Sequence, residues 1–591
     1  MGEITAVDSA NSRDTGNNRI MTTVSLALGP AERRRTLDRL ADENFDVVVI
    51  GGGITGSGAA LDAASRGLTV GLIEQRDLAA GTSSRSSKLI HGGLRYLEQL
   101  DFGLVFEALR ERGLMLSTLA PHLVRPVSFL YPLQHRVWER GYVAAGLTLY
   151  DIMAKASRTN VLPWHQHLSR SAALRLMPAL RKDSLIGGLR YWDAQVDDAR
   201  HTMTVARTAA AGGAAVATSV RAVGLRRNGG RVDAVEARCL ETGRELTIHA
   251  RSVVNATGVW NDAIEVLAGE TRRQVTASKG IHLVIPKDRI TSDTGMIIRT
   301  EKSVLFLVPW GAHWIVGTTD TPWDLGLAHP AASQGDIRYV LDHLNSVLAD
   351  PVTEADVFGV YAGLRPLLTG ETDATSKLSR EHAVAVRAPG LVSIAGGKYT
   401  TYRVMAKDTI DVCGEQMGID LPPSRTDEIP LAGAVGHERT KAEASRLAER
   451  AGVPESEIRR MIGRYGTMTR ELVAMMAADP ALAEPVAGAP SYRRAEIKYA
   501  TTHESALHLD DVLTRRTRIS IETEDRGLAA AKDAAAIMSG VLGWDDVTKS
   551  RELEHYQARV DAERESQSMP DDHTADAARM GAPDVRTGTA E

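Results

Sequence analysis

Polar, turn-rich positions (NSRDTGNNR) fill the chain from Met1 to about residue 40, and then apolar positions take over. Val47-Val48-Val49-Ile50 is an unbroken apolar run, the pattern of a strand buried on both faces of a parallel sheet. Three glycines follow, then an Ala-rich helical stretch, a stop at Gly67 and a second apolar run ending on Glu74. The pattern predicts strand, glycine turn, helix, strand. Strand-like pieces recur in GGLRYWDAQVD, AVATSVRAVGLRR, RVDAVEARCL and SVVNATGVW, with a helix predicted over Asp198 to Ala211. Gly280 to Pro286, Val304 to Pro309 and Trp314 to Gly317 form a second strand-rich region, and Leu391 to Ala395 another strand. Beyond Pro422-Pro423 the pattern turns helical and rich in Ala, Arg, Glu and Leu.

These shifts divide the chain into a disordered tail over 1–40, a body over 41–421, a helical domain over 422–545 and a C-terminal tail over 546–591. At 591 residues the chain is too long for one ordinary core.

The glycine turn carries the first chemistry. Gly51, Gly53 and Gly56 fit G-x-G-x-x-G, with an acid, Glu74, about twenty residues on, as a dinucleotide site requires. Gly51 permits the tight turn, Gly53 lets backbone approach a pyrophosphate, and Gly56 lets helix pack on strand. The helix that starts there aims free N–H groups and its positive dipole end at phosphates. Glu74 can accept hydrogen bonds from a ribose diol. No second such motif occurs, which suggests one tightly held cofactor.

After Glu74, Thr82, Ser83, Ser84, Ser86 and Ser87 crowd hydroxyls beside Gly81. The loop leaves the carboxyl end of a predicted parallel strand, where ligands bind in such folds. It runs into Lys88, His91, Gly92-Gly93, Arg95 and Tyr96, a phosphate or carboxylate clamp rather than a merely solvated Ser-rich loop.

Composition narrows the classes. Apolar residues make up 43% and charged residues 25%, and the net charge is −5, so nothing points to nucleic acid. Two cysteines in no metal or redox spacing fit a reducing compartment, and no metal site is expected. No apolar run reaches the roughly 18 residues of a membrane span, and no signal peptide is recognised.

GGGITGSG, TSSRSSKLIHGGLRYLE, VNATGVW, VGTTD, YAGLRPL and AGGKYTTYR, in this order, resemble the FAD-dependent glycerol-3-phosphate dehydrogenases. The resemblance covers about Phe45 to Met405. It extends more loosely to RRAEIKYATTHESALHLDDVLTRRTRIS, which is similar to the family's C-terminal cap. It implies an α/β fold: a Rossmann-like FAD-binding domain interleaved with an antiparallel-sheet substrate domain of D-amino-acid-oxidase type, plus a helical cap. It implies oxidation of sn-glycerol 3-phosphate to dihydroxyacetone phosphate, with hydride passing from C2 to the flavin and electrons to a membrane quinone.

Carried over, Gly51, Gly53, Ile54, Thr55, Gly56 and Glu74 would hold the ADP half of FAD. Thr82, Ser83, Ser86, Ser87 and Leu89 would line the diphosphate, ribityl chain and flavin. Gly258, in Asn255-Ala256-Thr257-Gly258, belongs to the turn that crosses the cofactor; Gly396, Gly397 and Thr400 match the loop at the flavin's pyrimidine edge. Arg95, Tyr96, Thr318, Thr319 and Arg380 match substrate-binding positions, and His282, Arg365 and Lys398 catalytic ones. Converging cations suit a phosphate dianion. Guanidinium is too weak an acid to serve as an ordinary base, which gives Arg365 alkoxide stabilisation and makes His282 the better base, with His91 next.

Leu133 to Trp164 mixes Trp138, Tyr142, Leu147, Leu149, Tyr150, Ile152 and Met153 with Arg136, Arg140, Lys155 and Arg158. That composition fits an interfacial helix on an anionic membrane surface as well as a buried helix with basic ends. With the resemblance it implies a cytoplasmic protein, peripheral on the inner face of the plasma membrane. A homodimer is compatible with the sequence but not required by it. A glycerol-3-phosphate oxidase, with oxygen as acceptor and hydrogen peroxide as product, is the alternative. A non-catalytic FAD-binding module and a nicotinamide dehydrogenase are more distant ones.

Overall fold

The computed structural model describes residues 26–98, 100–135, 138–269, 274–301, 304–369 and 381–586. Two large sheets organise the body. In the first, Ala215–Ala217, Val70–Ile73, Asn44–Ile50, Glu245–Asn255 and Leu391–Gly396 lie parallel in that spatial order. His382–Ala388 closes one edge antiparallel, and a meander, Val220–Asn228 and Arg231–Cys239, feeds into Glu245–Asn255. The register Val47↔Val70 and Ile50↔Ile73 brings the carboxyl ends of the first two strands level, just where the glycine turn and Glu74 begin. The helices Ile54–Ser65, Asp198–Ala211 and Tyr402–Met417 cover this sheet, and Val47, Val49, Ala60, Ala206 and Ile410 share one core beneath them.

The second sheet has ten strands, and its long strand Val275–Pro286 pairs antiparallel with Gly359–Leu368, His313–Gly317 and Thr321–Trp323. The predicted strand GGLRYWDAQVD belongs here, as Gly187–Gln195, paired with Arg125–Leu133. The fold is therefore the α/β arrangement of a cofactor sheet and a substrate sheet, followed by a helical C-terminal domain.

Both ends of the chain differ from the expected tails. Pro30–Asp42 is a helix with proline in its first turn, where a missing N–H costs nothing. Leu37 and Leu40 are buried against the cofactor sheet, and Leu28 N–H donates to the His503 carbonyl. Residues 1–25 lie outside the described residues. At the other end Asp546–Ser568 and Asp572–Arg579 are helices, each N-capped by an aspartate, Asp545 or Asp571. Tyr556 and Val560 are buried, and Arg586 donates to both carboxylate oxygens of Asp511. Polar composition concealed these segments because few apolar positions anchor them, and their other contacts are ion pairs with distant residues.

Among the described residues no helix is long and apolar enough to cross a membrane. Glu139–Ala156 buries Val143, Leu147, Tyr150 and Ala154 on one side. Its other side exposes Tyr142, Leu149 and Ile152, with Trp138 just before it.

Candidate active site

A cleft of about 570 Å³ opens at the carboxyl ends of the parallel strands, within the range of cofactor sites. Gly51, Gly53, Ile54, Thr55, Glu74, Thr82, Ser83, Gly258, Gly397 and Lys398 line it. Gly51 holds φ +112, and a Cβ there would lie 2.7 Å from the Ala256 carbonyl oxygen. A Cβ on Gly56 would collide with the Gly51 carbonyl, so Gly56 serves the turn from behind rather than lining the cleft. The helix from Ile54 points its N-terminus into this space. Glu74 accepts from Gly52 N–H (2.7 Å) and Arg76 N–H (2.8 Å), and burial raises its pKa. A carboxylate has about four acceptor positions, so two remain for ribose hydroxyls. The glycine cradle, helix terminus and acid fit the ADP half of FAD.

The hydroxyl loop divides its work. Ser83 Oγ accepts from Ile54 N–H (2.9 Å) and Thr82 Oγ donates to the Leu364 carbonyl (2.6 Å), tying the loop to the helix after the glycine turn and to the substrate sheet. Ser86 does not line the cleft. Its Oγ donates to Asp198 (2.7 Å), which also pairs with Lys88. Leu89 is buried in a two-residue strand. Thr400 Oγ accepts from His91 N–H at 3.2 Å, so both sit beside the cleft as supports. Ser87 reaches the substrate sheet, with its Oγ 2.9 Å from His282 Nε2.

The expected substrate-side residues meet on that sheet. His282 faces Tyr361 in register and stacks on its ring at 4.8 Å. Burial, then Arg365 and Lys88, push the imidazole pKa well below its ordinary value of 6.5, so the ring is neutral. Arg365 Nη2 donates to Thr318 Oγ1 (3.0 Å) and to the Thr319 carbonyl (3.1 Å). Thr319 Oγ1 accepts from Ile281 N–H. Two glycines make the room: a Cβ on Gly280 would overlap Arg365 and Thr318, and one on Gly317 would overlap His282. Pro366 lines the cleft, which places Arg365 at its edge. Lys398 sits 3.5 Å from the centroid of the Tyr96 ring. Arg95 belongs to the short helix Leu94–Glu98, and Arg380 lies outside the described residues.

Val220–Val223, Trp260, Gly326–Ala328 and Met405 also line the cleft, and sequence reading did not assign them. Only Trp260 had a signal, standing at the end of VNATGVW beside Gly81. Of the others, Arg221 is charged and the rest are glycine or apolar residues.

Residues 46–403 match the family described as FAD dependent oxidoreductase, and residues 424–549 match the C-terminal domain of alpha-glycerophosphate oxidase. Glycerol-3-phosphate dehydrogenase 2 of Mycobacterium tuberculosis is 56% identical over 561 residues, covering 95% of both chains. The human mitochondrial glycerol-3-phosphate dehydrogenase is 36% identical over 549 residues, covering 89% of this chain and 74% of its own. The crystal structure of the glycerol-3-phosphate dehydrogenase from Bacillus halodurans, complexed with FAD, superimposes with a TM-score of 0.74 at 27% identity. It covers 90% of this chain and 97% of that one.

Proposed function

We propose, because this chain belongs to the FAD-dependent glycerol-3-phosphate dehydrogenases, that it takes hydride from C2 of sn-glycerol 3-phosphate and hands the electrons to a membrane quinone. The observation that supports the reading is the presence of two groups on the substrate sheet beside the cleft. Arg365 is held by Thr318 and Thr319, and a neutral His282 is held by Ser87. FAD supplies the acceptor for the hydride when bound. The remaining work falls to the protein.

Losing hydride from C2 turns the hydroxyl carbon into a carbonyl, so the hydroxyl proton must leave as well. His282 is buried with Nε2 on Ser87, so the proton passes through the Ser87 hydroxyl to the imidazole. Burial, then Arg365 and Lys88, keep the imidazole neutral, so its acceptor nitrogen carries no proton before the hydroxyl gives one up. Arg365 stabilises the developing alkoxide as a fixed guanidinium donor. Lys398, with Arg95 and Arg380, supplies positive charge for the phosphate, and Tyr96 packs beneath the Lys398 ammonium.

The membrane side of the proposal rests on the exposed apolar face. Trp138, Tyr142, Leu149 and Ile152 are exposed on one helix and its approach, Leu100, Phe102 and Phe106 are exposed at or just before the start of the helix Phe102–Leu114 that packs against it, and Lys155 in the last turn and Arg158 just beyond add basic charge. An apolar face with basic flanks docks at an anionic lipid interface. The full-length protein should float with vesicles containing anionic lipid, and serine at Trp138, Tyr142 and Ile152 together should abolish flotation. A triple variant that floats like the parent would remove this surface from the account. Electron flow is tested by comparing reduction of a quinone analogue with peroxide formation in air. Quinone reduction should dominate, and peroxide equal to substrate consumed would make the enzyme an oxidase.

A further inference from the structure

A second cavity, of about 80 Å³, lies where the hydroxyl loop meets the two C-terminal helices. Arg85, Arg515, Arg518, Arg559 and Arg579 line it against a single carboxylate, Glu563. Three of the arginines have carboxylate partners outside the cavity wall. Arg515 pairs with Asp77 and Asp511, and Arg518 with Asp197 and Asp198. Arg559 pairs with Asp510. Arg579 donates to the Arg559 carbonyl (3.2 Å), and its nearest carboxylate, Glu563, stands 3.9 Å away and is shared with Arg526. The Arg85 guanidinium makes no hydrogen bond and no ion pair with any described residue. His329, also in the wall, buries an Nδ1 with no hydrogen-bond partner among the described residues.

Within the cavity wall five guanidinium groups face one carboxylate. Burial, then Arg579, Arg515 and Arg76, push the Arg85 pKa down to about 9. Burial, then Arg579 and Arg85, do the same to Arg559. Burial, then Arg559 and Arg579, drive His329 well below its ordinary value. Guanidinium stays protonated at neutral pH, so the two arginine shifts record burial first and neighbouring cations second, while His329 is neutral.

We propose that this cavity is a binding site for a small phosphate-class oxyanion, gripped by Arg85, Arg559 and Arg579. The guanidinium fork matches the paired oxygens of such an anion, and charge-assisted hydrogen bonds of this kind are about twice as strong as neutral ones. About 80 Å³ is several times the room one water needs, roughly 10–15 Å³. It is far below the 570 Å³ of the cofactor cleft, so a nucleotide is excluded. The three grips come from three segments: the hydroxyl loop, the helix Asp546–Ser568 and the helix Asp572–Arg579. The bound anion therefore clamps the C-terminal helices onto the loop that carries Ser83 and Ser87. Inorganic phosphate and the phosphate end of a phosphomonoester share this chemistry.

The test uses the FAD-loaded full-length protein. Its melting temperature is measured against inorganic phosphate, glycerol 3-phosphate and chloride at constant ionic strength. Phosphate should raise it by several degrees where chloride does not, in the parent and equally in Lys398→Gln, which lies outside the arginine cavity. Arg85→Gln and Arg579→Gln, on different segments, should each weaken the response at least tenfold, and Arg85→Lys should recover part of it. A response to glycerol 3-phosphate alone that survives Lys398→Gln but not Arg579→Gln would identify a phosphomonoester as the source. The proposal fails if chloride matches phosphate, if both glutamine variants respond like the parent, or if Lys398→Gln alone abolishes the response. In that last case the substrate chamber is the phosphate site, and the reading of the reaction stands.

Discussion

The cofactor cleft and the seam that joins the cofactor sheet to the C-terminal domain are built from opposite materials. The cleft is glycine turns, hydroxyls and apolar side chains, with few charges. The seam is a chain of buried ion pairs. Asp77 lies between Arg515 and Arg516, Asp197 and Asp198 meet Arg518, Glu504 meets Arg200 and Arg207, and Asp511 meets Arg515 and Arg586. Polar groups in the seam are used up by each other, and those in the cleft are turned toward a ligand. A seam of paired charges adds little net stability over an apolar one, but removing one partner leaves its opposite buried and uncompensated. The arginine cavity is the place where the seam's charges do not balance, which is why it takes on the character of a binding site.

The largest expected effect breaks the seam. Asp77→Ala removes the buried carboxylate that Arg516 pairs with and leaves Arg515 to Asp511, and should cost about 3–5 kcal/mol in chemical denaturation. An unchanged midpoint would mean that the seam does not hold the domains. Next comes the chamber. His282→Gln should lower turnover by roughly 10²-fold or more while the flavin stays bound, since general acid–base groups contribute on that scale. Because His282 is held neutral, the kcat/KM profile of the parent should show no acid limb near pH 6.5. A limb there would assign the proton to another group.

A smaller effect sharpens the role of glycine. Gly280→Ala displaces Arg365 from Thr318 and should lower turnover roughly 10- to 100-fold, as misplacement of about 1 Å does, without loss of FAD. The smallest effect is a pH dependence of stability in the seam. His508 lies between Glu241 and Glu552. Burial and Arg586 oppose its charge, yet the two carboxylates outweigh them and raise its pKa to about 9. A value raised above the ordinary 6.5 gives stability that is complete below that pH and lost as pH climbs through about 9. Melting temperatures should fall over that window in the parent and stay flatter in His508→Gln.

These two regions were not equally legible in the sequence. The glycine turn, Glu74 and the strands around them are local patterns, and the cleft follows from them almost residue by residue. Ser86 and Thr400 show the limit. Both have the chemistry to line a cofactor, but Asp198 and the His91 backbone claim them, and no local pattern reveals such partners. The seam was invisible for the same reason on a larger scale, because Asp77 and Arg516 lie 439 positions apart. The two C-terminal helices read as tail because their anchors are charges, which composition alone assigns to solvent.

The central claim, that the cleft and the Arg365–His282 chamber form one active site for glycerol 3-phosphate, is tested most directly by the visible spectrum of the purified protein without oxygen. Adding glycerol 3-phosphate should bleach the oxidised flavin band within the dead time of turnover, and in His282→Gln the band should remain and bleach far more slowly. A flavin band in the parent that glycerol 3-phosphate leaves unchanged would contradict the account.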